Sequence, residues 1–153
     1  MHRHFTRKTR LMIAAGAVLS GAMLVASGLP ADATTVTQSN CGIQIANLVE
    51  QCTSLTSNST HLYSLSGWSL HLPVDPVSYV DVHIELYGPA GHIKNCATIS
   101  SWAPGQYTPT CTWSPNDTRA KGNYCSRTWA YVGTTWWDLA NECEPLPFPT
   151  PNP

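Results

Sequence analysis

Positive charge is scarce in this 153-residue chain wherever it could serve recognition. Of eight Lys and Arg, four (Arg3, Arg7, Lys8 and Arg10) fall within the first ten residues. The other four, Lys94, Arg119, Lys121 and Arg127, are scattered through the second half and form no basic patch or stripe. Without such a footprint, nucleic acid is excluded as a partner. The chain also lacks an apolar run long enough to span a bilayer: the longest, Leu11 to Val25, has the length of a signal core. No Arg-Arg pair precedes that run and no Cys closely follows it, which leaves neither the twin-arginine route nor a lipidated mature terminus. His-Glu-x-x-His, Gly-x-Ser-x-Gly and a phosphate-cradling glycine loop are all absent. No internal repeat is present.

The first ten residues are basic and free of acid, the apolar run follows, and Ala31-Asp32-Ala33 closes the segment with small residues at the cleavage positions. This pattern predicts an export signal over residues 1–33 and a mature chain beginning at Thr34. The mature chain carries four Lys and Arg against eight Asp and Glu, net −4. All six cysteines, Cys41, Cys52, Cys96, Cys111, Cys125 and Cys143, lie downstream of the signal. Six Trp and six Tyr accompany them. Together these features predict a secreted, extracellular domain over 34–144, stapled by three disulfides. From Pro145 the run Pro-Leu-Pro-Phe-Pro-Thr-Pro-Asn-Pro has a proline at every second position and predicts an exposed tail over 145–153.

Strict alternation marks Ser78 to Tyr87 as a half-buried strand. Val80, Val82, Ile84 and Leu86 share one face, and Tyr79, Asp81, His83, Glu85 and Tyr87 the other. Gly88-Pro-Ala-Gly91 then reverses the chain, so that pairing Gly88 with Gly91 sets Glu85 opposite Lys94. Two further turn signals sit midway between cysteines: Ala103-Pro-Gly105 between Cys96 and Cys111, and Gly133-Thr-Thr135 between Cys125 and Cys143. Opposed antiparallel residues lie within disulfide reach. Bridges Cys125 to Cys143 and Cys96 to Cys111, each clamping a hairpin, are therefore predicted. In the last hairpin this register sets Trp129 opposite Leu139 and Tyr131 opposite Trp137 on a core face, with Ser126, Thr128, Asp138 and Glu142 outside.

Elimination pairs Cys41 with Cys52, but Ile45, Leu48, Val49 and Cys52 recur at helical spacing. A straight helix would hold cysteines eleven residues apart at about 16 Å. Either the segment is two strands around Ala46-Asn47, or these cysteines bond elsewhere. The expected architecture is a monomeric all-β sandwich of about six to eight short antiparallel strands.

The clearest candidate for catalysis is Asp81, His83 and Glu85, an imidazole between two acids on one strand face. Their neighbours stand nearly 7 Å apart along the strand, an awkward spacing for three ligands of one metal, and a solvated strand face accounts for the pattern equally well. No metal or other cofactor is expected. Aromatics supply the alternative, since Trp68, Trp102 and above all Trp136 could stack on sugar rings or anchor a protein. Trp136 points away from Trp137, towards the Asp138 face.

Tyr87-Gly-Pro-Ala-Gly-His-Ile-Lys-Asn95, followed by Gly122-Asn-Tyr-Cys125, Trp129, Gly133, Trp136, Leu139 and Cys143, resembles small exported actinobacterial proteins of unassigned activity. The resemblance covers Tyr79 to Cys143 and implies secretion and a β domain closed by Cys125 and Cys143; the Cys96 and Cys111 pair is an addition to that pattern. The resulting expectation is a non-catalytic extracellular module that binds a glycan or protein. The rivals are a small hydrolase centred on His83 and a disulfide-fixed inhibitor or toxin.

Overall fold

A computed structural model describes residues 34–44 and 48–148. Residues 1–33, where the export signal is expected, residues 45–47 and residues 149–153 of the expected tail lie outside the described residues. The elements are β1 (Val36–Gln44), β2 (Val49–Asn58), β3 (His61–His71), β4 (Val80–Gly88), β5 (Gly91–Asn95), β6 (Cys111–Trp113), β7 (Asp117–Thr118), β8 (Gly122–Val132) and β9 (Thr135–Leu146). All pairings are antiparallel. The first sheet has the order β1-β2-β3-β6, with β7 also on β3, and the second the order β5-β4-β8-β9. The fold is thus the expected all-β sandwich; short β5, β6 and β7 raise the count among the described residues to nine strands. Among the described residues no helix is long and apolar enough to cross a membrane.

Cys41 lies directly opposite Cys52, with Cα atoms 4.1 Å apart, so the first segment is a pair of strands and the bridge that elimination demanded is formed. The helical spacing of Leu48, Val49 and Cys52 loses to pairing, because β2 is a central strand between β1 and β3. Cys125 and Cys143 are likewise opposed, 4.0 Å apart. Cys96 and Cys111 bond as expected but clamp no hairpin. Cys96 follows β5 of the second sheet, its N–H donating to Ile84 O, whereas Cys111 opens β6 of the first. The bridge ties one sheet to the other. Between them the chain crosses from sheet to sheet, pairing Ile99 with Val82, Trp102 with Tyr79, and Tyr107 with Leu70.

Two apolar clusters fill the interior. Leu55, Leu62, Leu65, Ile84, Leu86, Tyr124 and Leu146 form one, and Val49, Val82, Trp102, Ala130, Leu139 and Ala140 the other. A polar seam of Gln51, Thr53, Ser69, Ser126 and Thr128, all fully buried, joins the two sheets. Gln51 Nε2 donates to Ser126 Oγ at 2.6 Å, and Gln51 Oε1 accepts from Ser69 Oγ (2.6 Å) and Thr128 Oγ1 (2.5 Å). Thr53 Oγ1 donates to Glu142 O at 2.7 Å. Each hydroxyl therefore finds a partner in a place where an unmade bond would be costly.

The seam overturns the expected facing of the last hairpin. Ser126, Thr128 and Ala130 point into the sandwich, and Cys125, Arg127, Trp129 and Tyr131 lie on its outer face. Gly67 of β3 approaches Ser126 so closely that no Trp could pass between the sheets there. A bulge between Thr128 and Trp129 then shifts the register by one, setting Trp129 opposite Asp138, Ala130 opposite Trp137 and Tyr131 opposite Trp136. Trp137 is exposed rather than buried.

Two more bulges correct the β4 reading. One at Leu86/Tyr87 sets Glu85 opposite Asn95 instead of Lys94, whose Nζ donates to Thr112 O. The other lies between Val80 and His83, where Asp81 takes φ +49°. Alternation holds for Val82, Ile84 and Leu86, but Val80 stands 49 % exposed opposite Tyr131. At the C-terminus, Pro145 and Leu146 extend β9 opposite Asn123 and Gly122 rather than opening the tail, because Leu146 completes the first cluster.

Candidate functional site

β4 and β8 run side by side at the centre of the second sheet, so their outward side chains interleave. His83 stands opposite Trp129, Glu85 opposite Arg127 and Tyr87 opposite Cys125. β5 adds Asn95 opposite Glu85, and β9 adds Trp136 opposite Tyr131. His83, Glu85, Tyr87, Asn95, Trp129 and Trp136 line one open depression of about 530 Å³.

Its polar groups are already linked. His83 Nε2 lies 3.3 Å from Glu85 Oε1, and Tyr87 Oη donates to the other carboxylate oxygen. A carboxylate only accepts, so His83 Nε2 carries a proton towards it, while Nδ1 is buried with no hydrogen-bond partner among the described residues. Burial, then the hydrogen bond to Glu85 and the Glu85 charge, push the Tyr87 hydroxyl up to about 12, against a smaller opposing pull from Arg127. It therefore remains a donor. Arg127 lies over the Tyr87 ring, 4.7 Å from its centroid, and reaches Asp138 at 3.7 Å. Burial and the Glu85 charge nevertheless hold the Asp138 carboxyl above its ordinary range, outweighing Arg127 and the Ala140 N–H.

The rings form a continuous strip. Trp136, 42 % exposed, meets His83 edge-on at 4.6 Å and Tyr131 at 5.4 Å.

The three candidates for catalysis are only partly united. His83 and Glu85 share the depression, whereas Asp81, turned out at the bulge and exposed, does not line it. The three candidate tryptophans are separated. Trp102 is 0 % exposed, donates Nε1–H to Gln106 O and packs on His71 and Tyr79, so it is core and displays nothing. Trp68 is half-buried opposite Cys52, against Tyr107, on the first sheet. Only Trp136 joins His83 and Glu85. Sequence reasoning missed Tyr87, Asn95, Arg127, Trp129 and Tyr131 as members of the site. The alternation of Cys125, Arg127, Trp129 and Tyr131 was the available signal, assigned to the wrong face.

A second constellation was also missed. His71 Nε2 lies 2.9 Å from Asp75 Oδ2 and Nδ1 lies 3.2 Å from Trp102 O, while Tyr79 Oη and Val77 N donate to the Asp75 carboxylate. Burial raises the Asp75 carboxyl, but the Val77 N–H, the bonds from His71 and Tyr79 and the His71 charge together hold it below its ordinary value. With His71 and Asp75 both buried, this is a latch on the 72–79 loop.

No family model matches the chain, and neither a curated protein nor a solved structure matches it.

Proposed function

We propose that the chain is a secreted, non-catalytic module that binds a cell-surface glycan on the outer face of its second sheet. The observation that carries this reading is the exposed Trp136, packed against Tyr131 and His83, which shares an open depression with the half-buried Trp129 and Tyr87 and with the polar groups of His83, Glu85 and Asn95. Sugar rings present apolar faces and equatorial hydroxyls, which suit aromatic platforms flanked by hydrogen-bonding groups. Three disulfides suit an oxidising compartment. The basic, apolar and Ala-x-Ala order of residues 1–33 and the resemblance to exported actinobacterial proteins supply the route out of the cell.

Retention of the purified mature protein on insoluble cell wall or polysaccharide tests the reading. Trp136→Ala should abolish retention while near-ultraviolet circular dichroism reports intact packing. Unchanged retention of Trp136→Ala, or a hydrolytic activity that His83→Ala destroys, would overturn it.

A further inference from the structure

We infer that the depression selects a cationic sugar: a glycan whose residues carry free, protonated amines. This rests on the glycan reading above and names the ligand class. The first argument is charge. Glu85 is the one carboxylate lining the depression, and no Lys or Arg lines it. Arg127 stands opposite Glu85 on β8, and its guanidinium lies over the Tyr87 ring and 3.7 Å from Asp138. Tyr87 donates to one Glu85 oxygen, and His83 Nε2 lies 3.3 Å from the other. The carboxylate keeps lone pairs for a further donor, since its two oxygens accept about four bonds.

The second argument is the surroundings of that carboxylate. Trp129 and Trp136 line the depression with it, and ring faces attract a cation through their quadrupoles, most strongly for Trp; Arg127 over the Tyr87 ring is such a contact within the chain. A carboxylate among aromatic faces is the arrangement that recognises an ammonium group. An N-acetyl group or a hydroxyl at the same position would gain neither the ionic nor the ring contribution. Asn95, opposite Glu85, can accept from or donate to the neighbouring sugar hydroxyls without altering the charge. The mature chain as a whole points the same way, with four cations against eight acids. Electrostatic attraction to a polyamine chain is thus favourable at long range as well as at contact.

Isothermal titration with two probes of equal length tests the inference: a fully deacetylated glucosamine oligomer, titrated where its amines are protonated, and the corresponding N-acetylglucosamine oligomer. A hydrogen bond to a charged group contributes about 1.5–3 kcal/mol, so the deacetylated oligomer should bind about tenfold tighter or more. Its affinity alone should fall as salt is raised. Glu85→Gln preserves shape and removes the charge, leaving one acceptor oxygen where the carboxylate had two, and should bring the two affinities together. Equal binding of both oligomers by the unmodified protein overturns the amine inference and leaves the glycan reading standing. A preference that survives Glu85→Gln overturns the role of Glu85. Failure of both oligomers together with failure of the cell-wall retention assay removes the glycan reading itself. The comparison of the two oligomers needs no variant, so it decides the matter even if Glu85→Gln does not fold.

Discussion

Gly67 of β3 lies so near Ser126 of β8 that a methyl group on Gly67 would sit 2.2 Å from the Ser126 Cβ and 2.5 Å from its Oγ. The contact joins the two sheets at the polar seam, where Ser126 is also held by Gln51 and Cys52 O. Gly67→Ala should therefore lower stability by about 1–3 kcal/mol, the usual cost of overpacking a filled interior, with an added loss if Ser126 is pushed off its partners. Chemical denaturation at neutral pH reads this directly. An unchanged midpoint would mean that the sheets can move apart at no cost.

The buried latch on the 72–79 loop makes a pH prediction. Asp75 titrates below its unfolded value of 3.8, so its ionised form stabilises the fold. That contribution is fully present above the unfolded value and is lost as pH falls through the lower, folded one. Asp75→Asn should therefore be less stable than the parent at neutral pH, and the gap should close as the medium is acidified below 3.8. A gap of constant size across acid pH would show that the carboxylate charge contributes nothing.

Glu144 behaves oppositely. It is 2 % exposed, its Oε1 has no hydrogen-bond partner, and burial followed by the nearby Glu142 charge raises its carboxyl from 4.5 to about 6. Folding favours the protonated form, so the penalty develops as pH rises from 4.5 to about 6 and persists above it. Glu144→Gln should raise the thermal midpoint at pH 8 and leave it nearly unchanged at pH 4. Equal effects at the two pH values would rule out ionisation as the cause.

Removing the sheet-to-sheet bridge should be costly in a different way. Cys96 and Cys111 are 15 residues apart, and opening a loop of that size releases about 3 kcal/mol of unfolded-state restriction. The double variant Cys96→Ser, Cys111→Ser should lose roughly that stability. It should also show faster amide exchange at Ile99 and Trp102, whose backbone bonds to Val82 and Tyr79 hold the crossover in place. Protection at those amides equal to that of the parent would show that the crossover does not depend on the bridge.

Much of the fold was legible because alternation and turn chemistry are local. Val82, Ile84 and Leu86 announced a buried face, and the Cys125 to Cys143 bridge followed from its turn, whereas Cys96 pairs with Cys111 without the expected hairpin and Cys41 with Cys52 against a helical spacing. What failed was non-local. The inward face of β8 is chosen by Gln51, Thr53 and Ser69, more than fifty residues upstream, which offer partners to Ser126 and Thr128. A hydrophobicity rule applied to β8 alone assigns Trp129 and Tyr131 to the interior. Bulges defeated the rest, because a one-residue insertion at Leu86/Tyr87 or Thr128/Trp129 leaves no strong mark in composition yet reassigns every later partner. Half of the site was visible as His83, Glu85 and Trp136. Its assembly required knowing that β4 lies against β8, across some forty residues of chain.

The polar seam has a consequence for how the two sheets find their alignment. Leucine-rich surfaces are tolerant: sliding one sheet over the other by a residue pair still sets carbon against carbon. Hydroxyls and an amide are not, because the same slide would strand Gln51, Ser69 and Thr128 against aliphatic groups with their bonds unmade. The sandwich thus carries a directional code in its middle layer, and the register it favours is the one that sets Cys96 within bonding distance of Cys111.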